Sequence, residues 1–203
     1  MQVRTRPEIM ETLSLAERKR QLVRDELGHA AMVLLAAQGF EATTIDEIVA
    51  AAGVSRRTFF RYFKSKEDVI LEFLADVGAD VCAELTGRPP RETPGTALRE
   101  ALTVAVETFA EHPEKSRALA RLTLETPALR ARYLERQAGL QQDLAAVIAR
   151  REGLDLDTDM GPAVSAGMAL TAFDIALTRW ARQSGTEDLR TLVDQAFALA
   201  LLI

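Results

Sequence analysis

The 203-residue chain has few of the residues that metal, redox and catalytic sites usually require. It contains one cysteine, Cys82, and only two histidines, His29 and His112, which lie far apart in the sequence. A single cysteine cannot form an internal disulfide, which is typical of a reducing compartment, and we therefore expect a cytoplasmic protein. The same scarcity excludes zinc ribbons and fingers, and the glycines form neither a P-loop nor a dinucleotide-binding fingerprint. We predict no catalytic residues, no metal ion and no cofactor.

Long apolar runs are missing as well. The longest stretches without a polar residue, 30–37 and 196–203, hold about 8 residues, whereas a membrane-spanning helix needs roughly 20. The first 20 residues lack an apolar core followed by a small-residue cleavage site, so we expect no secretory signal. With 48% hydrophobic and 27% charged residues, the composition is that of a globular protein. We expect no membrane partner.

Positive charge is in short supply overall. The chain has 25 Lys and Arg against 30 Asp and Glu, a formal net charge of −5. This balance argues against a nucleic-acid partner, because proteins that coat phosphate backbones usually carry surplus positive charge. A nucleic-acid contact can nevertheless be local. Between Ala50 and Lys66 there are five basic residues and no acid.

The hydrophobic periodicity is helical almost throughout, and no β-hairpin signal is present. Capping boxes are predicted at Ser14, Thr44 and Ser65, and Gly39 and Gly53 stand where the first two helices should stop. The predicted fold class is all-α, with about nine helices. The later helices are predicted at about 96–111, 114–125, 127–152, 158–184 and 186–203.

Three parts are predicted along the chain: a flexible arm at 1–13, a three-helix head at 14–64, and a larger helical domain at 65–203. The larger domain begins with a connecting helix at 65–85. A loop rich in Gly and Pro follows at 86–95, because these residues cannot continue a helix.

Residues 43–66 contain the predicted nucleic-acid site. Two short helices joined by a tight turn at Gly53-Val54-Ser55 form a helix-turn-helix, whose second helix enters the major groove of DNA. Its basic residues lie near its N-terminus, where side chains and the helix dipole can both meet a phosphate or a base edge. The alternative is a solvated basic face over an aromatic core. The capped helix-turn-helix and the absence of acids favour DNA binding.

Residue types suggest a role for several predicted contacts. Arg56 and Arg57 can fork onto guanine O6 and N7, and Thr58 can contact a thymine methyl or a phosphate. Tyr62 and Lys66 follow one and two turns later, where they can reach backbone phosphates. The full predicted DNA-binding set is Thr44, Ser55, Arg56, Arg57, Thr58, Phe60, Arg61, Tyr62 and Lys66.

The stretch from Ala30 to about Leu74 resembles the DNA-binding region of the TetR family of bacterial transcriptional repressors. The matching segments read GFEATTI at 39–45, IVAAAGVS at 48–55 and TFFRYF at 58–63, followed by Lys66-Glu67. The family usually has a tyrosine in place of Phe60, and its hydroxyl commonly touches a phosphate, so Phe60 is left with an apolar contact. The double-arginine sequence RRTFFRYF also resembles a subgroup that includes the mycofactocin-associated regulators, some of which respond to acyl-coenzyme A.

This resemblance implies a homodimer that binds a palindromic operator in double-stranded DNA and is released by a small-molecule effector of largely apolar character. It also implies that the last two helices, 158–184 and 186–203, pair with their mates in a four-helix bundle. Their wide apolar faces independently suggest subunit association. Two alternatives stay open: an activator of the same fold, and a helical enzyme with a vestigial DNA-binding head.

The predicted effector pocket lies in the larger domain. The helix that follows Pro127 places Tyr133, Gln137 and Gln141 on a face that should point inward, and buried polar groups need partners that a ligand can supply. Ordinary core packing is the alternative. Asp174 can also bind a ligand, although we expect it to pair with an arginine. The predicted lining is Phe73, Val77, Phe109, Tyr133, Gln137, Gln141, Met168 and Phe173.

Overall fold

The structure is a computed structural model that describes residues 14–183 and 187–200. The predicted arm at 1–13 lies outside the described residues. All regular elements in the described ranges are α-helices, which confirms the predicted fold class. The helices are α1 Leu15–Gln38, α2 Ile45–Ala51, α3 Arg56–Tyr62, α4 Lys66–Gly87, α5 Pro94–Glu111, α6 Pro113–Glu125, α7 Pro127–Glu152, α8 Gly161–Arg182 and α9 Leu189–Ala200.

Two of the three predicted capping boxes are confirmed. Ser14 Oγ accepts from the amide of Glu17 (3.3 Å), and the Glu17 carboxylate accepts from the amide of Ser14 (2.9 Å). Thr44 and Glu47 make the same reciprocal pair at 3.2 and 2.8 Å. Each box satisfies two N–H groups that the helix leaves without a partner, so the starts of α1 and α2 are defined locally.

The box predicted at Ser65 is wrong in its second half. Ser65 Oγ does accept from the amide of Asp68 (3.3 Å), but the Asp68 carboxylate accepts from the amide of Lys64 (2.8 Å) instead of that of Ser65. Helix α5 also starts earlier than predicted, at Pro94. Thr93 caps it, and proline is tolerated at the first helical position, where its missing N–H would have no partner.

The chain divides into two compact units, Met1–Leu74 and Ala75–Ile203. The boundary falls inside α4, whereas the sequence placed it at the start of that helix. In the first unit α1 packs against α2 and α2 against α3. The centre of this unit is apolar and fully buried, and it includes Leu27, Ala31, Ile48, Phe59 and Ile70.

In the second unit α8 is the central helix and packs against α5, α6, α7 and α9. It is the one described helix that is long and apolar enough to cross a membrane by length and composition. Ten of its residues, among them Phe173 and Trp180, are buried in the unit. Its apolar character therefore has an explanation in core packing.

Two close contacts fix α4 against α7 within the second unit. The guanidinium of Arg151 donates to the carbonyl oxygens of Leu85 (3.0 Å), Arg88 (2.7 Å) and Pro89 (2.9 Å). The Leu85 carbonyl lies in the last turn of α4, where it has no partner in the helix, and Arg88 and Pro89 begin the loop that follows. Nearer the middle of the helix, a Cβ atom placed at Gly78 would come 3.3 Å from a methyl carbon of Leu140, so only glycine allows this approach without repacking.

Candidate functional site

Helix α3 is held in the first unit by one face and presents the other to solvent. Gly53 takes a φ of 64° in the turn before it, a conformation that favours glycine. Ser55 then caps the helix by accepting from the amide of Thr58 (3.1 Å), and the two hydroxyls lie 2.9 Å apart. Phe59 is fully buried beneath the helix. The exposed residues of the helix include its three arginines, Arg56, Arg57 and Arg61.

The two arginines at the start of α3 differ in their surroundings. Nη1 of Arg56 donates to both carboxylate oxygens of Asp46 on α2, each at 3.0 Å, and its guanidinium lies 6.0 Å from the ring centroid of Phe60. Arg57 is exposed and forms no hydrogen bond or ion pair with any residue that the structure describes. The sequence predicted the same role for both arginines. In the structure Asp46 holds Arg56, whereas Arg57 is available for contact with DNA.

Arg61 and Tyr62 form a pair at the end of α3. The guanidinium of Arg61 lies 5.0 Å from the ring centroid of Tyr62 and donates to its hydroxyl at 3.2 Å. Stacking on an aromatic ring restricts an arginine without removing its charge. Both side chains stay predicted DNA contacts, with the cation and the hydroxyl presented together.

The structure gives Lys66 a role that the sequence did not predict. Its ammonium donates to the backbone oxygen of Phe40 and to that of Thr43 (3.0 Å), and it lies 4.0 Å from the Phe40 ring centroid. It therefore ties the start of α4 to the turn between α1 and α2, with one N–H left for the predicted phosphate. The hydroxyl of Thr44 is likewise used, since it caps α2 and donates to Glu47 (2.9 Å).

A chain of polar side chains connects α7 to α8 in the second unit. Gln137 donates to the hydroxyl of Tyr133 (3.1 Å), which donates to the carboxylate of Asp174 (3.0 Å). Asp174 also pairs with Arg130 at 3.5 Å, so the expected pairing with an arginine is confirmed. Burial, and then the Asp174 charge, raises the pKa of Tyr133, because both disfavour the phenolate.

Arg130 has donor capacity to spare in this cluster. Its Nη1 is buried and has no hydrogen-bond partner among the residues that the structure describes. An unpaired buried donor on a cation is costly, and an anionic or carbonyl group of a ligand would satisfy it. Arg130 could not be singled out from the sequence, because its partner Asp174 lies on α8 and comes near it only when α8 packs against α7.

The aromatic part of the predicted effector lining is buried in the same unit. Phe109 on α5 and Phe173 on α8 are both buried, with their ring centroids 6.5 Å apart. Val77 on α4 is buried too. Phe73 belongs to the first unit instead.

Gln141 and Met168, also predicted to line the interior, lie elsewhere. They border an apolar groove of about 670 Å³ along α8 and α9 that is open to solvent. Met168 is 40% exposed, and Ile175 and Leu199, in the same groove, are 59% and 66% exposed. The interior placement was wrong because helical periodicity does not show which apolar face of α8 packs inside.

Gly167 brings α8 close to α7 beside this groove. A Cβ atom at that position would lie 2.9 Å from Nε2 of Gln141, which itself donates to the backbone oxygen of Ala163 at 3.3 Å. Gln141 thereby adds a polar group to the lining of the groove. The remaining lining is mostly aliphatic: Ala163, Val164, Ala172, Ala176, Leu192, Ala196 and Ala200, with Thr171, Arg179 and Gln195 as polar members.

Comparison with known proteins places both units among one class of regulators. Residues 27–73 match the family model described as bacterial regulatory proteins of the tetR family, and residues 92–201 match the MftR C-terminal domain. The HTH-type transcriptional regulator TcmR of Streptomyces glaucescens is 38% identical over 73% of this chain and 68% of that protein. The putative mycofactocin biosynthesis transcriptional regulator MftR of Mycobacterium tuberculosis is 34% identical over 77% of this chain and 81% of its own length.

Solved structures show the same fold. Thermus thermophilus FadR, a TetR-family transcriptional repressor solved in complex with lauroyl-CoA, has a TM-score of 0.60 and 27% identity, and the match covers 88% of this chain and 93% of that one. A putative TetR-family regulator from Syntrophomonas wolfei has a TM-score of 0.70 at 17% identity, covering 89% and 94% of the two chains.

Proposed function

This chain belongs to the TetR family of bacterial transcriptional regulators, and on that premise we propose that it is a dimeric repressor that binds a palindromic operator and is released by a small-molecule effector. The observation that carries the proposal is the exposed basic helix α3, which itself contains no acidic residue, in a capped helix-turn-helix. The proposed place of action is the cytoplasm.

The operator contacts are proposed along α3 and around its cap. Arg57 is exposed and available for a base edge or a phosphate, and Arg61 and Tyr62 present a cation beside a hydroxyl. Ser55 and Thr58 lie at the N-terminus of the helix, where the dipole favours a phosphate. Because a symmetric dimer presents two such helices, its operator should be palindromic.

The open groove along α8 and α9 supports a homodimer. Its large aliphatic side chains are exposed in the single chain, and an apolar surface of this kind is characteristic of subunit contacts. We propose that a second copy covers it. Two copies related by a two-fold axis would place four helices side by side, burying Ile175 and Leu199 of each.

We propose that the effector binds in the second unit, using the polar cluster of α7 and α8 and the buried aromatic pair of the same unit. Arg130 supplies a partly buried cation whose buried Nη1 has no hydrogen-bond partner among the described residues, and Phe109 and Phe173 supply an apolar surface. The effector class that combines an anionic head with an apolar chain includes the acyl-coenzyme A thioesters. The relationship to FadR, solved with lauroyl-CoA, supports that class.

Release of DNA follows from a population shift. The dimer has two states, one with its two α3 helices placed for adjacent major grooves and one with them misplaced. An effector that binds more tightly to the misplaced state lowers operator affinity, by an amount set by the difference between its affinities for the two states. Helix α4 contributes residues to both units and is the proposed connecting element. No contact between effector and DNA is needed.

Operator binding is tested by selecting duplexes from a random library and measuring affinity by fluorescence anisotropy across a salt series. A dimer that neutralises about 8 phosphates gives a slope of log K against log salt near −7. The double substitution of Arg56 and Arg57 by Ala should abolish binding and leave the dimer intact. A slope near zero contradicts DNA binding. Transcription from a promoter carrying the operator, with and without the protein, separates a repressor from an activator.

The effector is tested by thermal unfolding with lauroyl-CoA, coenzyme A and laurate. Ligand at 100 times its dissociation constant stabilises the folded protein by about 2.7 kcal/mol. We expect lauroyl-CoA to stabilise the protein and lower operator affinity. In Arg130→Gln the gain should fall for lauroyl-CoA, while in the exposed neighbour variant Arg132→Gln it should not. No stabilisation by any of the three compounds contradicts this effector class.

A further inference from the structure

Arg56 is restrained on two sides before any DNA is present. Asp46 accepts from its Nη1 with both carboxylate oxygens at 3.0 Å, and the ring of Phe60 lies against its guanidinium with 6.0 Å between Cζ and the ring centroid. The side chain of Asp46 is 65% exposed and that of Arg56 is 58% exposed. An exposed pair of this kind contributes little to stability, so a role in folding does not account for it.

The restraint leaves the opposite edge of the guanidinium open. Arginine has N–H donors on Nε, Nη1 and Nη2, and Asp46 uses only Nη1. Nε and Nη2 have no hydrogen-bond partner among the described residues. They form the side of the fork that matches two acceptors in one plane, the geometry that guanine O6 and N7 offer in the major groove.

We infer that Asp46 is a specificity-determining positioning residue: it orients Arg56 to read a guanine and does not itself contact DNA. Phe60 completes the arrangement from the other side, which gives this residue a function in place of the phosphate contact that its missing hydroxyl rules out. The inference rests on the proposed operator binding.

Asp46 favours base reading over phosphate binding for two physical reasons. A fork that is already ordered loses less conformational entropy when it binds guanine. The Asp46 carboxylate also offsets the charge of Arg56 and repels phosphates near it, which lowers sequence-independent affinity. Specific and non-specific binding should therefore respond in opposite directions when Asp46 loses its charge, whereas damage to the fold would weaken both.

The test compares Asp46→Asn with a matched control, Glu41→Gln. Glu41 is an exposed carboxylate of the same unit that has no hydrogen bond or ion pair to a described residue, so its removal changes the net charge equally without touching Arg56. Operators are selected from random duplexes for each variant, and affinity is measured for the selected operator and for unrelated DNA. Chemical denaturation checks that both variants are folded.

We expect Asp46→Asn to lose the preference for one guanine in each half-site, with affinity for the operator falling about tenfold. Its affinity for unrelated DNA should rise. Glu41→Gln should keep the guanine preference. In an Arg56→Ala background, Asp46→Asn should change the preference no further, because it acts through that arginine.

Two results for Asp46→Asn overturn the inference: an undiminished guanine preference, or an effect that persists in full without Arg56. The inference is also overturned if Arg56→Ala changes the preference for none of the guanines in the operator that the wild-type protein selects. The proposed function fails in a different way, with a wild-type protein that selects no sequence and shows no salt dependence.

Discussion

Replacing Ile175 by Ala should weaken the proposed dimer about 100-fold and leave the fold of each subunit intact. The substitution removes three carbon atoms, worth about 0.8 kcal/mol each when they pass fully from water to a protein interior. Ile175 is 59% exposed in the single chain, so that fraction of its surface remains to be covered by association. The three carbon atoms together are worth about 2.4 kcal/mol, and the part that association still has to bury is about 1.4 kcal/mol per subunit. Two-fold symmetry counts it twice, about 2.8 kcal/mol per dimer, or roughly a hundredfold in the dissociation constant.

Sedimentation velocity over a dilution series measures this constant directly. Leu22→Ala is the matched control, because Leu22 is 60% exposed, also loses three carbon atoms and lies on α1, outside the groove. We expect the control to dimerise like the wild type. Since Ile175 is exposed in the chain, its variant should unfold with nearly unchanged free energy once dissociation is taken into account. If Ile175→Ala changes the constant no more than Leu22→Ala does, the groove is not the subunit interface.

Two further outcomes are expected for the stability of the protein. Arg151→Met should lower the free energy of unfolding by about 2 kcal/mol, because three backbone carbonyl groups lose a charged donor. Urea denaturation measures this loss, and Arg150→Met, at an exposed arginine, is the control. Equal effects of the two substitutions would contradict the prediction. The free energy of unfolding should also fall as the pH drops below about 4.5, since hydrogen bonds to Ser14, Thr44 and Arg88 hold the pKa of Glu17, Glu47 and Glu92 below that value in the folded state. The unfolded chain then binds protons first, so stability present at neutral pH is lost in acid; denaturation curves between pH 3 and 7 would contradict this if stability rose on acidification.

The helices could be predicted well from the sequence because their ends depend on near neighbours. Ser14 and Thr44 each find their capping partner three residues later, and Gly53 supplies the backbone conformation of the turn by itself. Such interactions are complete within one turn of chain, so a local pattern is sufficient evidence. The half-wrong box at Ser65 shows the limit, because the Asp68 carboxylate had two amides within reach.

The candidate sites were predictable as regions and less so as sets of residues. The basic segment of α3 was evident from charge and spacing, yet its pairing with Asp46 crosses from one helix to another. Periodicity gave α8 two apolar faces and no means of choosing between them, and Met168 was consequently assigned to the interior.

The amino-acid sequence by itself determined the all-α fold class, the helix-turn-helix and the basic cluster, against an overall charge of −5 that pointed the other way. Only the tertiary structure decided which arginine of α3 is held and which is available, which face of α8 is open, and that Asp174 joins Arg130 to Tyr133. The reason is the range of the interactions. Capping and helix periodicity act over three or four residues, whereas ion pairs between helices and burial depend on how the helices pack.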